Sequence, residues 1–202
     1  MISFQEGIKA TKFARDIIES YVTNKQKKTV KFEKIFKQKS GVFVTINSFP
    51  SKNLRGCIGI PYPIMSLEKA IIEAGISATR DPRFPPLMKN ELKDVIIEIT
   101  ILTKPEKIIV DDPKEYPSKI NLGRDGLIVK DNINSGLLLP QVPIEQEWNK
   151  KEFLSNTCVK ACLASDSWLK NEINIYKFTG QIFSEIEPNG KIMEKKLDGF
   201  NG

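Results

Sequence analysis

Leu54-Arg55-Gly56-Cys57-Ile58-Gly59 puts an arginine, a thiol and two glycines into one apolar segment that reads as a buried β-strand. Strands pack through side chains, so two glycines within one call for a reason, a bulge or the close approach of another backbone or a ligand. Side chains on a strand alternate between faces. Leu54, Gly56, Ile58 and Ile60 therefore share one face, and Arg55, Cys57 and Gly59 the other. A cation, a nucleophile-capable sulfur and bare backbone on one face make a site candidate.

Working outward, Gly41 to Asn47 is a strand by its β-branched content, and Ser48 to Asn53, with Pro50, is a loop. The hexapeptide then returns as the antiparallel partner of a hairpin, with Thr45 the polar member near it. Asp94 to Thr103 is the strongest strand in the chain. Val95, Ile97, Ile99 and Ile101 form one face and Ile96, Glu98, Thr100 and Leu102 the other. A carboxylate in mid-strand either lies on an open face or meets a cation, because burial alone would raise its pKa. Arg55 is the expected partner of Glu98.

Helical periods flank these strands. Residues 4–22 read as a first helix with Phe4, Ile8, Ile18 and Val22 near one apolar stripe and Asn24 as its stop. Ser66 caps a second helix with a stripe of Leu67, Ala70, Ile71, Ala74 and Ala78. It ends in Thr79-Arg80-Asp81-Pro82-Arg83-Phe84-Pro85-Pro86-Leu87, where prolines forbid helix and fix a loop. Arg80 and Arg83 there either grip a phosphate or carboxylate, or Asp81 pairs with an arginine while Phe84 plugs the core.

The segment Lys25 to Lys39 carries seven lysines with Phe32, Ile35 and Phe36 interleaved. It is either a phosphate-binding stripe with stacking aromatics or, the blander and preferred reading, a segment with Phe32 and Phe36 turned inward. Lys104 to Ile120 reads as a strand end, a loop and a short helix around Asp111-Asp112-Pro113. Asn121 to Asp125 is a turn, and Gly126 to Lys130 and Gly136 to Leu139 form a hairpin. Gln141, between apolar and proline residues, is placed to read a backbone or a ligand. Glu145 to Trp148 and Lys151 to Leu163 are helical. Cys158 and Cys162 sit at i,i+4, but no second pair completes a metal site, so both read as buried structural cysteines. Ile173 to Ile186 reads as one long strand with a bulge at Gly180, and the tail beyond Pro188 as loosely held.

Composition narrows the chemistry. The chain has 202 residues, 40% hydrophobic and 28% charged, as expected of a globular protein with one domain or two lobes. No apolar run reaches the roughly 18–20 residues of a membrane span, and Met1 to Arg15 lacks the core of a signal peptide, so no membrane is expected and the cytoplasm is the default location. Histidine is absent. Ser-His-Asp triads, Cys-His dyads and histidine-ligated metals are thereby excluded, leaving a carboxylate, lysine, tyrosine or thiolate as any general base. The net charge of +6 favours acidic partners weakly. Much lysine and isoleucine with no histidine suggests a thermostable protein from a heat-loving source. Neither phosphate-loop nor dinucleotide glycine motifs occur.

Several of these stretches occur together, in order: Gly41 to Ile46, the hexapeptide Leu54 to Gly59, Arg80 to Leu87, Glu98-Ile99, Asp125-Gly126-Leu127, Leu139-Pro140-Gln141-Val142 and Trp148. The chain thereby resembles the AMMECR domain family over about residues 4–187. The resemblance implies an archaeal-type α+β protein, a single domain over residues 1–202 built of two unequal lobes. Each lobe would hold an antiparallel sheet flanked by helices, the larger from both chain ends and the smaller from the middle, with the hexapeptide near the cleft. Microbial relatives encoded beside radical-SAM and Memo-like proteins imply such protein partners and a pathway with iron or redox chemistry. Where some relatives carry histidine before the Gly126 equivalent, this chain has Asp125. The resemblance names no cofactor and no reaction.

Three functions follow from these residues. In the first, an enzyme or small-ligand protein uses the cleft. Cys57 is the nucleophile and Glu98 or Asp125 the proton acceptor, while Arg55, Gly56, Gly59, Thr45, Arg80, Arg83 and Gln141 bind a small anionic ligand. In the second, the lysine stripe and the arginine loop bind nucleic acid. In the third, a protein-interaction adaptor, the motif is architectural: Cys57 fills a small core site and Arg55 pairs with Glu98.

Overall fold

Strands β1 (Val42–Ser48) and β2 (Leu54–Ile60) form the hairpin expected from the sequence, with Thr45 directly opposite Cys57. The computed structural model describes residues 2–25, 34–170 and 172–195. On its other side β1 pairs antiparallel with β3 (Val95–Leu102), which sets Thr45 opposite Glu98. With β8 (Gly180–Glu185) and β9 (Ile192–Lys195) these strands make a five-stranded sheet in the order β2-β1-β3-β8-β9.

One face of this sheet is dry. Val44, Ile46, Ile97 and Ile99 are fully buried and meet two helices, α1 (Phe4–Val22) and α2 (Leu67–Ala78). Burying side chains of that size contributes about 1.5–3 kcal/mol each, which is why the alternation of β1 and β3 sets the register. Helix α2 buries the expected stripe. Helix α1 does so only in part: Ile18 is fully buried and Val22 packs against the core, but Ile8 is half-buried and Phe4 exposed. The helix instead turns Ala10, Phe13, Ala14, Ile17 and Ile18 to the core. Its start is fixed by a capping box in which Ser3 and Glu6 exchange bonds, and the backbone N–H of Ser3 holds the Glu6 carboxyl below its ordinary range. Asn24, at φ 53°, ends it in the left-handed region.

Beneath α1 lies a buried ion pair. Arg15 donates through Nε and Nη2 to Glu185 on β8, through Nη2 also to the carbonyl of Val95, and through Nη1 to that of Leu92. Glu185 also accepts from the Ile97 backbone at 2.9 Å. Every one of these groups is thus satisfied, as two charges this deep require.

The chain divides into two units, the first formed by residues 2–102 and 181–195 and the second by Thr103–Gly180. The second unit carries a four-stranded sheet in the order β4-β7-β5-β6, from β4 (Glu106–Lys107), β5 (Gly126–Lys130), β6 (Ser135–Leu138) and β7 (Asn174–Phe178). Helix α4 (Lys150–Lys160), preceded by the single turn α3 (Val142–Glu145), packs Phe153, Leu154 and Cys158 against Leu127, Val129 and Ile175. The protein is therefore α+β, with two antiparallel sheets.

Three readings from the sequence need correction. Ile173 to Ile186 is two strands in two different sheets, because the chain leaves β7 at Phe178 and enters β8 at Gly180. The tail is ordered through Lys195, since β9 pairs with β8 in register from Ile182–Lys195 to Glu185–Ile192. Cys158 is buried, with burial pushing its thiol up to about 11, but Cys162 is exposed at φ 59° beyond the end of α4. Of the lysine-dense stretch, residues 26–33, Phe32 included, lie outside the described residues; Phe36, in a short 3-10 turn, is buried.

Candidate functional site

The strand order turns the sequence candidates into a row. Cys57, Thr45 and Glu98 lie side by side across β2, β1 and β3, on the face away from α1 and α2. Residues of an antiparallel pair alternate between turning their backbone groups toward the partner and away from it. Cys57 turns its own away, toward the outer edge of the sheet. Its N–H donates to Asp81 Oδ2 at 2.9 Å, and its carbonyl accepts from Arg83 Nη2 at 3.3 Å. Thr45 and Cys57 are consequently a closely spaced pair, and the Thr45 hydroxyl donates to the Cys57 sulfur at 3.2 Å.

The loop after α2 supplies this edge contact. Asp81 is buried, and Arg83 forks onto it through Nε at 3.0 Å and Nη2 at 2.6 Å, with the Arg83 backbone adding a third bond at 3.1 Å. Hydrogen bonds from Arg83 hold the Asp81 carboxyl far below its ordinary range, and the same contact raises Arg83. The two ends of the pair differ in access: the Asp81 side chain is 1% exposed and that of Arg83 56%. The Nη1 edge of the guanidinium makes no hydrogen bond among the described residues. The loop therefore turns its positive end outward beside the thiol. Arg80, three residues earlier, stacks instead on the ring of Tyr21 at 5.2 Å, so the two arginines form no joint grip.

The two glycines have separate causes. A Cβ on Gly56 would stand 2.3 Å from the carbonyl oxygen of Ala78, so the last turn of α2 rests directly on the strand. A Cβ on Gly59 would stand 2.2 Å from the Phe43 ring, which lies over it from the opposed position on β1.

The expected Arg55–Glu98 pair does not form. Arg55 is bidentate to Glu91, through Nε at 2.8 Å and Nη2 at 3.1 Å, and Nη2 also reaches the Pro86 carbonyl at 3.4 Å. Glu98 pairs with Lys195 on β9. The reason is register. β2 and β3 both run against β1, so they run parallel to each other with β1 between them, about 10 Å apart. Leu54 lies level with Ile96, just past the 3-10 turn Lys89–Asp94 that precedes β3, while Cys57 lies level with Glu98. Arg55 meets that turn, whereas Glu98 lies one step further along. Hydrogen bonds from Arg55 keep the Glu91 carboxyl below its ordinary range. Neither Glu91 nor Lys195 stood out in the sequence. The pattern of a bidentate partner in the turn before β3 becomes visible only once strand order is known.

Asp125 and Gln141 belong to the second unit. Asp125 is buried and closes its own turn, accepting from the Asn121 backbone at 2.9 Å and from Arg124 Nε at 3.1 Å. Gln141 starts the turn α3, its side chain making no capping bond.

Chemically, Cys57 is a half-buried thiol. Burial pushes its pKa above the ordinary value, while the Thr45 hydroxyl and the Arg83 charge act the other way. It is therefore protonated at neutral pH, a soft donor between a hydroxyl and a guanidinium rather than a standing thiolate.

Comparison with known proteins agrees with this frame. The family described as AMMECR1 matches residues 11–183. The protein MJ0810 of Methanocaldococcus jannaschii is 48% identical over 98% of each chain. PYRAB00100 of Pyrococcus abyssi is 49% identical over 92% of this chain and 93% of its own. The crystal structure of PH0010 from Pyrococcus horikoshii superposes with a TM-score of 0.81 at 44% identity, covering 96% of this chain and 98% of that one. Sequence, sheet order and relatives agree, and the chain belongs to the AMMECR1 family.

Proposed function

We propose that the protein binds a small anionic molecule at the face centred on Cys57, with Arg83 rather than Arg55 as the anion anchor. The observation that carries this reading is the asymmetry of the Asp81–Arg83 pair. Its carboxylate is buried and its guanidinium half exposed, with Nη1 making no hydrogen bond among the described residues while Nη2 reaches the carbonyl of Cys57, whose thiol accepts from the Thr45 hydroxyl. A carboxylate or similar anion would accept from Arg83, while Thr45 and Cys57 offer a hydroxyl and a sulfur to the rest of the molecule. Reversible binding suits this site better than covalent attack, since the thiol is protonated at neutral pH and Glu98 is already committed to Lys195.

Alkylation of Cys57 tests the reading, using a Cys162→Ser background because Cys162 is also exposed. Iodoacetate carries the charge that Arg83 should attract, and iodoacetamide is its neutral control. The expected iodoacetate-to-iodoacetamide rate ratio falls about fivefold in Arg83→Gln, roughly 1 kcal/mol for one screened charge. A ratio indifferent to Arg83 refutes the anchor.

A second reading has its own support. Gly56 and Gly59 are both explained by packing, and Arg55 is consumed by Glu91. On this view the motif is architectural and the protein acts through other surfaces. A Cys57 inert to both reagents until the protein unfolds favours this second reading.

A further inference from the structure

The strand registers of the second unit bring several apolar features to one end of its sheet. Lys130 on β5 stands opposite Ser135 on β6 and Asn174 on β7, and Lys107 on β4 stands opposite Tyr176. The β5–β6 turn, residues 131–134, therefore leaves the sheet at the same end as the segment 108–110 and Ile173. That end carries Ile133, 91% exposed, and Ile109, 81% exposed, the two most exposed large apolar side chains among the described residues. Single exposed apolar residues are ordinary, but two at one sheet end beside a cavity mark a contact surface.

The cavity, of about 310 Å³, lies between the segment 107–110, the 3-10 turn Pro113–Lys119 and the start of β7, with Ile108, Val110, Ile173 and Tyr116 among its walls. Tyr116 is buried, and its hydroxyl has no hydrogen-bond partner among the described residues. A buried polar group is ordinarily satisfied, so the cavity lacks an acceptor as well as an apolar filling. Ile133, by contrast, is an apolar side chain without a pocket, and it is presented rigidly. The Asp131 carboxylate accepts from the Ile133 N–H at 2.8 Å and from Asn134 Nδ2 at 3.1 Å, and the Asp131 N–H donates to the Asn134 carbonyl at 3.1 Å. A knob held in this way loses little freedom on being buried.

We propose that this end of the second unit is the interface of a weak dimer, in which Ile133 of each copy enters the cavity of the other. Shape argues for a second copy as the occupant. The cavity lies beside β4 and β7 and the knob beyond β5 and β6, about two strand spacings or roughly 10 Å apart, so one twofold axis between them closes both contacts at once. A backbone carbonyl of the arriving turn is the acceptor that Tyr116 lacks. Charge agrees with shape. Lys130, at the base of the knob, is exposed and enters no ion pair among the described residues, while the exposed carboxylates of Asp111 and Asp112 follow the cavity wall at Val110. Lys130 of one copy then faces Asp111 of the other. The patch is small, so the protein is a monomer when dilute.

Sedimentation equilibrium of the full chain from about 10 µM to about 1 mM tests this. A monomer–dimer equilibrium with a Kd on the order of 100 µM is expected. Ile133→Ser should leave a monomer over this range, since each dimer loses two buried side chains and weakens about a hundredfold. Lys130→Glu should weaken association about tenfold, and adding Asp111→Lys should return it to within about threefold of the parent. All three side chains are exposed, so these variants keep the fold. A monomer throughout, which leaves the surface to a partner of other sequence, overturns the proposal. So does a dimer indifferent to Ile133→Ser, association that runs past the dimer, or a Lys130→Glu protein that Asp111→Lys does not restore.

Discussion

Replacing Gly56 by alanine should be far more damaging than the same change at Gly59, although both positions would clash on paper. At Gly56 the new methyl meets a backbone carbonyl, Ala78 O, at 2.3 Å. An ordinary C···O contact is about 3.3 Å, so roughly 1 Å must be found by moving the end of α2 or the strand itself. Overpacking of this kind costs about 3 kcal/mol at the upper end of its usual range. Loss of glycine's freedom in the unfolded chain returns about 0.5–1 kcal/mol, leaving a net loss near 2–2.5 kcal/mol. For a protein of this size each kcal/mol lowers Tm by about 2–4 °C, so Gly56→Ala should melt about 4–10 °C lower. At Gly59 the obstacle is the ring of Phe43, a half-buried side chain able to turn about its own torsions. The net change there should stay within about 1 kcal/mol. Differential scanning calorimetry of the two variants measures the contrast. A Gly56→Ala protein melting within about 2 °C of the parent, or a Gly59→Ala protein melting lower than Gly56→Ala, would refute the packing account of the motif.

Other perturbations separate the remaining charges. Arg15→Met leaves Glu185 buried without its cation and should cost about 3–5 kcal/mol in urea unfolding, whereas the double change with Glu185→Leu should recover much of it. Asp81 titrates lower in the folded protein than unfolded, so its contribution is present above about pH 4 and is lost as pH falls through that range toward its folded value. Asp81→Asn should therefore be destabilised at neutral pH, with the gap to the parent closing as urea titrations move below pH 4. Because the Thr45 hydroxyl restrains the upward shift of Cys57, Thr45→Val should slow alkylation by iodoacetamide at pH 8 and move its pH–rate midpoint higher.

Much of the first sheet was legible because β1 alternates cleanly and β3 is rich in β-branched residues, whereas β2, whose apolar sequence reads as a buried strand, is an edge strand with only Gly56 buried. The hairpin, the position of Thr45 beside Cys57 and the stripe of α2 all follow from such local patterns. Pairing across the sheet was not legible. Arg55 and Glu98 are each correct as charged members of their strands, but which cation meets which carboxylate depends on strand order and register, and local pattern carries neither. The same limit hid the break at Thr179, where apolar alternation continues while the chain changes sheets. Helix α1 was legible only in part: Ile18 and Val22 were placed correctly, but the buried face also takes in Gly7, Ala10 and Ala14 beside Phe13 and Ile17, so a stripe drawn through Phe4 and Ile8 is rotated off it.

The bonds from Asp81 and Arg83 to the backbone of Cys57 have one more consequence. β2 ends the sheet, and Leu54 to Ile60 is apolar, short of charge and free of proline, the composition of a segment prone to cross-β stacking. An open strand of that kind is a template on which a second molecule can lay its own copy. Here the donor and acceptor that an incoming chain would need at its centre are already taken by two side chains of the same molecule. The loop behaves as a stopper against self-association, and aggregation of this protein should begin with the detachment of that loop rather than with global unfolding.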